Sequence, residues 1–170
     1  MAFATEPNRV DPTRSIGGLN ERFITLFYEQ LAAVDPDRNR VRWLAESWSL
    51  ERRGARHVLS VKIREGVRFH NGDTLSSHDF RYAFERQRGP ASPAAYRLRY
   101  ARDLIVHDDL RFDIVFERPD ALFEHWNLAL WAVPRGYFEE VGDAGVQAHP
   151  VGTGPGKFVS RKAREELVVE

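Results

Sequence analysis

The chain has 170 residues, 42% of them hydrophobic, which suffices for one domain of ordinary size or for pieces of a larger protein. Lys and Arg number 25 and Asp and Glu number 25, so the formal charge is zero and neither a polyanion-seeking chain nor an acidic disordered one is indicated. Cysteine is absent, which excludes disulfides, thiolate metal sites and cysteine nucleophiles together.

Met1 to Val10 lacks an apolar run long enough for a signal-peptide core, so nothing in the sequence as given directs export. No stretch approaches the roughly 20 apolar residues that span a bilayer. Thr5 to Gly18, with Pro7, Pro12, Gly17 and Gly18, is expected to be extended or irregular. From Leu19 the spacing predicts a helix: Asn20 can cap it, and Phe23, Leu26, Phe27, Leu31 and Val34 form its stripe until Asp35-Pro36. A short element with Trp43, Leu44 and Trp48 follows, then a turn at Arg52-Arg53-Gly54. His57 to Arg64 alternates Leu59, Val61 and Ile63 with Ser60, Lys62 and Arg64, the pattern of a strand with one wet face. After the turn Asn71-Gly72-Asp73, Ser76 and Asp79 are spaced as a capping box for a helix with Phe80, Ala83, Phe84 and Gln87 inside, ended by Gly89-Pro90. Leu104 and Val106, then Phe112, Ile114 and Phe116, predict a hairpin turning at Asp108-Asp109. Asp120 can cap a helix carrying Leu122, Phe123, Trp126 and Ala129; Trp131 to Pro134 is expected to be extended, and a short helix lies around Tyr137-Phe138. The tail is a turn or crossover, Val151 to Gly156, a strand-like Lys157-Phe158-Val159, and an apolar strand pattern, Leu167 to Glu170, with nothing after it to pair.

Charge is level over the whole but not locally. Arg81 to Arg102 holds six arginines against Glu85, and Asp103 to Asp143 holds ten acids against Arg111, Arg118 and Arg135. The basic stretch carries no nucleic-acid motif and its arginines scatter around the helix, so the following acids are expected to neutralise it as solvated faces. The six histidines, His57, His70, His78, His107, His125 and His149, show no metal-ligand spacing, and no Gly-x-Ser-x-Gly elbow is present. Gly152-Thr153-Gly154-Pro155-Gly156 lacks the Lys-Ser/Thr of a phosphate loop, and Pro155 removes an N–H. The neighbouring acid pairs Asp108-Asp109, Glu139-Glu140 and Glu165-Glu166 diverge on any element. The residues thus point to an α+β chain without catalytic equipment, no enzyme, and no cofactor or metal.

Several blocks nevertheless follow one another in a telling order: Asp11-Pro12; Phe27-Tyr28-Glu29-Gln30-Leu31; Leu44-Ala45-Glu46-Ser47-Trp48; Ile63 through Phe69-His70-Asn71-Gly72 into Asp79-Phe80; and Val151-Gly152-Thr153-Gly154-Pro155 before Lys157-Phe158. In these the chain resembles the extracytoplasmic solute-binding proteins, family 5, which serve ABC importers of oligopeptides, dipeptides and nickel. Gly156 and Arg161 stand where that family usually has an aromatic and a Trp. The resemblance implies a periplasmic-binding-protein-like fold of type II, here partial: residues 1–33 as an N-terminal strip of lobe I, 34–150 as a small α+β domain, and 151–170 as the crossover and return strand to lobe I. It implies binding and delivery of a peptide or other small solute to membrane permease subunits, in the periplasm or at the cell surface, without chemistry and without nucleic acid.

The family's cleft segment maps to Ile16, Gly17 and Gly18, and its stretch before Val-Pro maps near Trp131; these are the candidate ligand residues. Trp48, Gly66, Phe69, Gly72, Asp79, Gly152, Gly154 and Pro155 are expected to be scaffold. The matched part corresponds to the N-terminal portion of a family chain, so the expectation is a fragment that lacks the second lobe and half of its cleft, with Phe23, Phe27 and Val168 left without partners and the two ends less stable than the middle. Two other readings stay open: the ligand-sensing domain of a cytosolic transcriptional regulator, and a truncated relic without activity.

Overall fold

A computed structural model of the chain describes residues 9–16, 18–37, 39–118, 130–162 and 166–170; at 18, 19, 40, 162 and 166 only the backbone is described. The helix expected between Asp120 and Ala129 lies outside these residues. No helix among the described residues is long and apolar enough to cross a membrane.

The centre of the structure is a four-stranded antiparallel sheet, β3(Ala45–Arg53), β4(Arg56–Ile63), β5(Ala101–Asp108) and β6(Arg111–Phe116), in the order β3-β4-β6-β5. Register places Trp48 opposite Val61 and Leu50 opposite Leu59. It also sets Val61 against Phe112, Leu59 against Ile114, and Leu104 against Ile114. Alternation along each strand therefore gathers one apolar face, the period-2 logic visible in the sequence. Against that face lies α2(Ser77–Arg88), whose buried Phe80, Ala83, Phe84 and Gln87 are the stripe expected from spacing. Phe80 stacks on Phe112 at 5.4 Å between ring centroids. The helix begins as the capping box requires: Asp79 Oδ2 accepts the Ser76 N–H and hydroxyl, both at 2.9 Å.

The N-terminal helix is shorter than its stripe suggests. α1(Gly18–Phe27) ends with the bond from Tyr28 N–H to Ile24 C=O, and Ala32–Val34 form β1, paired with β2(Arg40–Arg42). Leu31 is drawn out of helical geometry because its N–H donates to Leu130 C=O and its C=O accepts from Ala45 N–H. Pairing between distant segments overrides local helix periodicity here. Conversely, the helix around Tyr137 is longer than expected: α3(Arg135–Ala148) continues past Gly142, which breaks its regularity at φ 63°.

The chain closes as a hairpin, β7(Phe158–Lys162) and β8(Glu166–Val169), with Phe158 opposite Val169. The last apolar segment, expected to be unpaired, pairs back on β7. Phe23 and Phe27 are likewise not left bare: both are buried, 5.3 Å apart between centroids, and Phe158 meets Phe27 edge-on at 6.2 Å. Among the described residues one apolar core runs from Phe27 through Phe80 to Phe158, joining residues of all three segments proposed from the sequence. The basic stretch is neutralised only in part by the acids that follow it: Arg81 pairs with Asp103 and Arg102 with Glu117, whereas Arg97 is buried, not solvated, and pairs with Glu21 of α1.

Candidate functional site

The two most specific sequence blocks meet in space. The His70 N–H donates to Gly152 C=O at 2.9 Å, the Gly152 N–H donates to His70 Nδ1 at 3.3 Å, and His70 Nε2 lies 2.8 Å from Gly154 C=O. An imidazole whose Nδ1 accepts must carry its proton on Nε2, so the ring donates to Gly154. The His-Asn-Gly turn thus clamps the Gly-Thr-Gly run from above. Gly72 holds that turn at φ 93° and Gly66 the preceding one at φ 76°, a region that favours glycine.

From below, the same run caps α1. Gly154 N–H donates to Phe27 C=O and Gly156 N–H to Leu26 C=O, both at 2.8 Å, satisfying carbonyls that a helix end leaves open. The approach is so close that a Cβ on Gly154 would lie 2.5 Å from Phe27 C and 2.8 Å from Tyr28 N. On Gly152 it would overlap the Phe27 carbonyl oxygen and lie 2.7 Å from Tyr28 Cδ1. Glycine is needed here for space, as neither residue has a positive φ. Tyr28, fully buried beneath the run, has its phenol pushed well above the ordinary value by burial, reinforced by the charge of Asp11.

Asp11, the acid of the Asp-Pro block, is a hub. It is buried and caps the 3₁₀ turn Pro12–Arg14, Oδ1 accepting from Thr13 N–H at 2.9 Å and Thr13 Oγ1 at 2.7 Å. Its Oδ2 accepts from Arg86 Nη2 on α2 at 2.8 Å. The same guanidinium reaches Asp143 on α3, which also pairs with Arg14. Burial works against the Arg86 charge, but its bonds to Asp143 and Asp11 outweigh that and raise its pKa. The Asp143 carboxyl is held below the usual range chiefly by the hydrogen bond from Arg86. Arg86 lies over the Phe138 ring at 5.3 Å. Sequence reading missed Arg86 and Asp143; the available signal was an arginine flanking the apolar stripe of α2, which calls for an acid nearby.

The expected scaffold residues sit as follows. Phe69 is buried, and Trp48 packs partly buried against the core. Asp79 does more than cap α2, because its Oδ1 accepts the N–H of Arg135, the first residue of α3, at 3.0 Å. Pro155 lies exposed between the two close-packed glycines. Of the candidate ligand residues, Ile16 is 44% exposed, Gly18 opens α1, and Gly17 is outside the described residues. Trp131 is 3% exposed within the core, bridged to Gln30, so its side chain packs against this chain's own residues. A surface concavity of about 500 Å³, with Arg53, Ser60, Lys62, His107 and Asp113 among its lining, opens on the outer face of the sheet, apart from Ile16.

These features together define a mixed α and β chain whose N-terminal segment is fastened through Asp11 to α2 and α3. It belongs to the bacterial extracellular solute-binding proteins, family 5, whose middle-region model matches residues 39–170. The glutathione-binding protein GsiB of Pectobacterium atrosepticum is 29% identical across all of this chain and 33% of its own length. Among solved structures, NikZ from Campylobacter jejuni in complex with Ni(L-His) superposes with a TM-score of 0.84 at 22% identity, over 98% of this chain and 34% of that one. Haemophilus influenzae OppA complexed with RPPGFSPFR gives 0.85 at 24%, over 97% and 36%. These two likenesses establish the fold, periplasmic-binding-protein-like with mixed α and β structure. The chain spans about a third of the length of each of these relatives.

Proposed function

We propose that this chain provides part of the ligand site of a binding protein that captures a peptide or another small solute and hands it to an ABC importer, without chemistry. Family membership over residues 39–170 carries the reading. A glutathione-binding relative and relatives in complex with a peptide or with Ni(L-His) support an amino-acid-derived ligand. Ile16 is the candidate contact side chain, with the start of α1 at Gly18 close by in sequence, where the positive end of the helix dipole favours an anionic group such as a peptide carboxylate. Trp131, buried and bridged to Gln30, serves as a packed support within this chain. Delivery to a permease places the working protein outside the cytoplasmic membrane. Titration calorimetry of the protein at its natural length tests the reading, using glutathione, a pool of di- and oligopeptides, and nickel with L-histidine. Saturable binding of one of them at micromolar affinity or tighter is expected; no heat from any of the three at millimolar concentration refutes it.

A further inference from the structure

The segment from Val10 to Ile16 is fixed by residues of the 34–150 portion. Val10 N–H donates to Gln147 Oε1 at 3.0 Å, Asp11 accepts from Arg86, Thr13 C=O accepts from Ser92 Oγ at 2.7 Å, and Arg14 pairs with Asp143. Arg86 is the centre of this set, since its Nη2 joins Asp11 to Asp143 and thereby ties the segment to α2 and α3 at once. Its side chain is 12% exposed and that of Asp11 11%, so both charges are largely withdrawn from water and neither has an alternative solvent partner of equal worth.

We propose that Arg86 is a positioning residue for ligand binding: its hold on the Asp11 carboxylate sets the height and direction of the segment that presents Ile16. The role of the small domain is then to aim the cleft segment of the neighbouring lobe. This rests on the proposed function, in which Ile16 borders the ligand. Without Arg86, the Asp11 and Asp143 carboxylates are left with Arg14 as the remaining cation of the cluster, and the 3₁₀ turn Pro12–Arg14 keeps only the Ser92 and Arg14–Asp143 tethers.

The test is hydrogen exchange together with ligand affinity on wild type, Arg86→Met and Asp143→Asn. Arg86→Met keeps the bulk over Phe138 and removes the charge, and Asp143→Asn alters a side chain that is 60% exposed and so leaves folding intact. Exchange at the amides of Val10, Thr13 and Arg14 is expected to rise about tenfold in Arg86→Met and about threefold in Asp143→Asn, with the amides of Leu59, Val61 and Ile114 within about twofold of wild type. Unchanged exchange at the three N-terminal amides in both variants overturns the proposal. So does an equal rise in the sheet, which would make Arg86 a general stabiliser. With glutathione and the peptide pool as probes, affinity is expected to fall about tenfold in Arg86→Met. Equal affinity in wild type and variant overturns the positioning role in binding. If wild type binds neither of these probes nor nickel with L-histidine, the proposed function falls while the exchange result still decides whether Arg86 holds the segment.

Discussion

Replacing Gly154 by Ala is the sharpest single perturbation the structure suggests. The new methyl group would sit 2.5 Å from Phe27 C, 2.7 Å from Leu26 O and 2.8 Å from Tyr28 N, all backbone atoms at the end of α1 that no rotamer change can move. Overpacking of this kind costs about 1–3 kcal/mol. The run must also lift away from α1 and from His70, weakening the bonds Gly154 N–H to Phe27 C=O and His70 Nε2 to Gly154 C=O, worth about 1 kcal/mol each. The sum is about 3–5 kcal/mol, which for a chain of this size lowers Tm by about 6–20 °C. Gly136→Ala is the matched control: the same methyl group meets nothing within 4 Å inside α3 and is expected to be neutral or to stabilise by up to about 1 kcal/mol. Thermal melts followed by circular dichroism measure both. A Gly154→Ala Tm within about 2 °C of the Gly136→Ala value would refute the close-approach account of the glycine run.

Three further outcomes are expected. His70→Phe keeps the ring volume but orphans Gly152 N–H and Gly154 C=O, and should cost about 2–3 kcal/mol in urea denaturation; a loss under about 0.5 kcal/mol would mean that water replaces the imidazole. Asp79→Ala removes the cap of α2 and the acceptor for the first N–H of α3 together, for an expected loss of about 2 kcal/mol, whereas Asp79→Asn, which keeps an acceptor oxygen, should lose less. For Asp143, the folded carboxyl lies below its ordinary value because Arg86 hydrogen-bonds it, so the pair stabilises the folded state above about pH 4 and that contribution disappears as pH falls through the lowered value. The Tm difference between wild type and Asp143→Asn is accordingly expected to stay level from neutral pH to about 5 and to shrink as pH falls below the ordinary carboxylate range and through the lowered value, and a difference that widens on acidification contradicts the assignment.

Elements governed by local rules were legible in the sequence. Alternation in His57 to Arg64 and in Phe112 to Phe116 marked β4 and β6, and Ser76 with Asp79 marked the start of α2, because side-chain periodicity and capping act within a few residues. The order of the motif blocks pointed to the family that the match over residues 39–170 establishes. Contacts across long stretches of chain decided the rest. Leu31 and Val34 fit a helical stripe, yet Leu130 and Ala45 claim the Leu31 backbone and end the helix at Phe27. The requirement for glycine at 152 and 154 comes from the carbonyls of Leu26 and Phe27, and the use of Asp11 from Arg86, partners 75 residues away in sequence. A single chain displays which groups it carries and how they repeat; which buried charge finds which partner depends on the packing of α1, α2 and α3, and only the tertiary structure contains that.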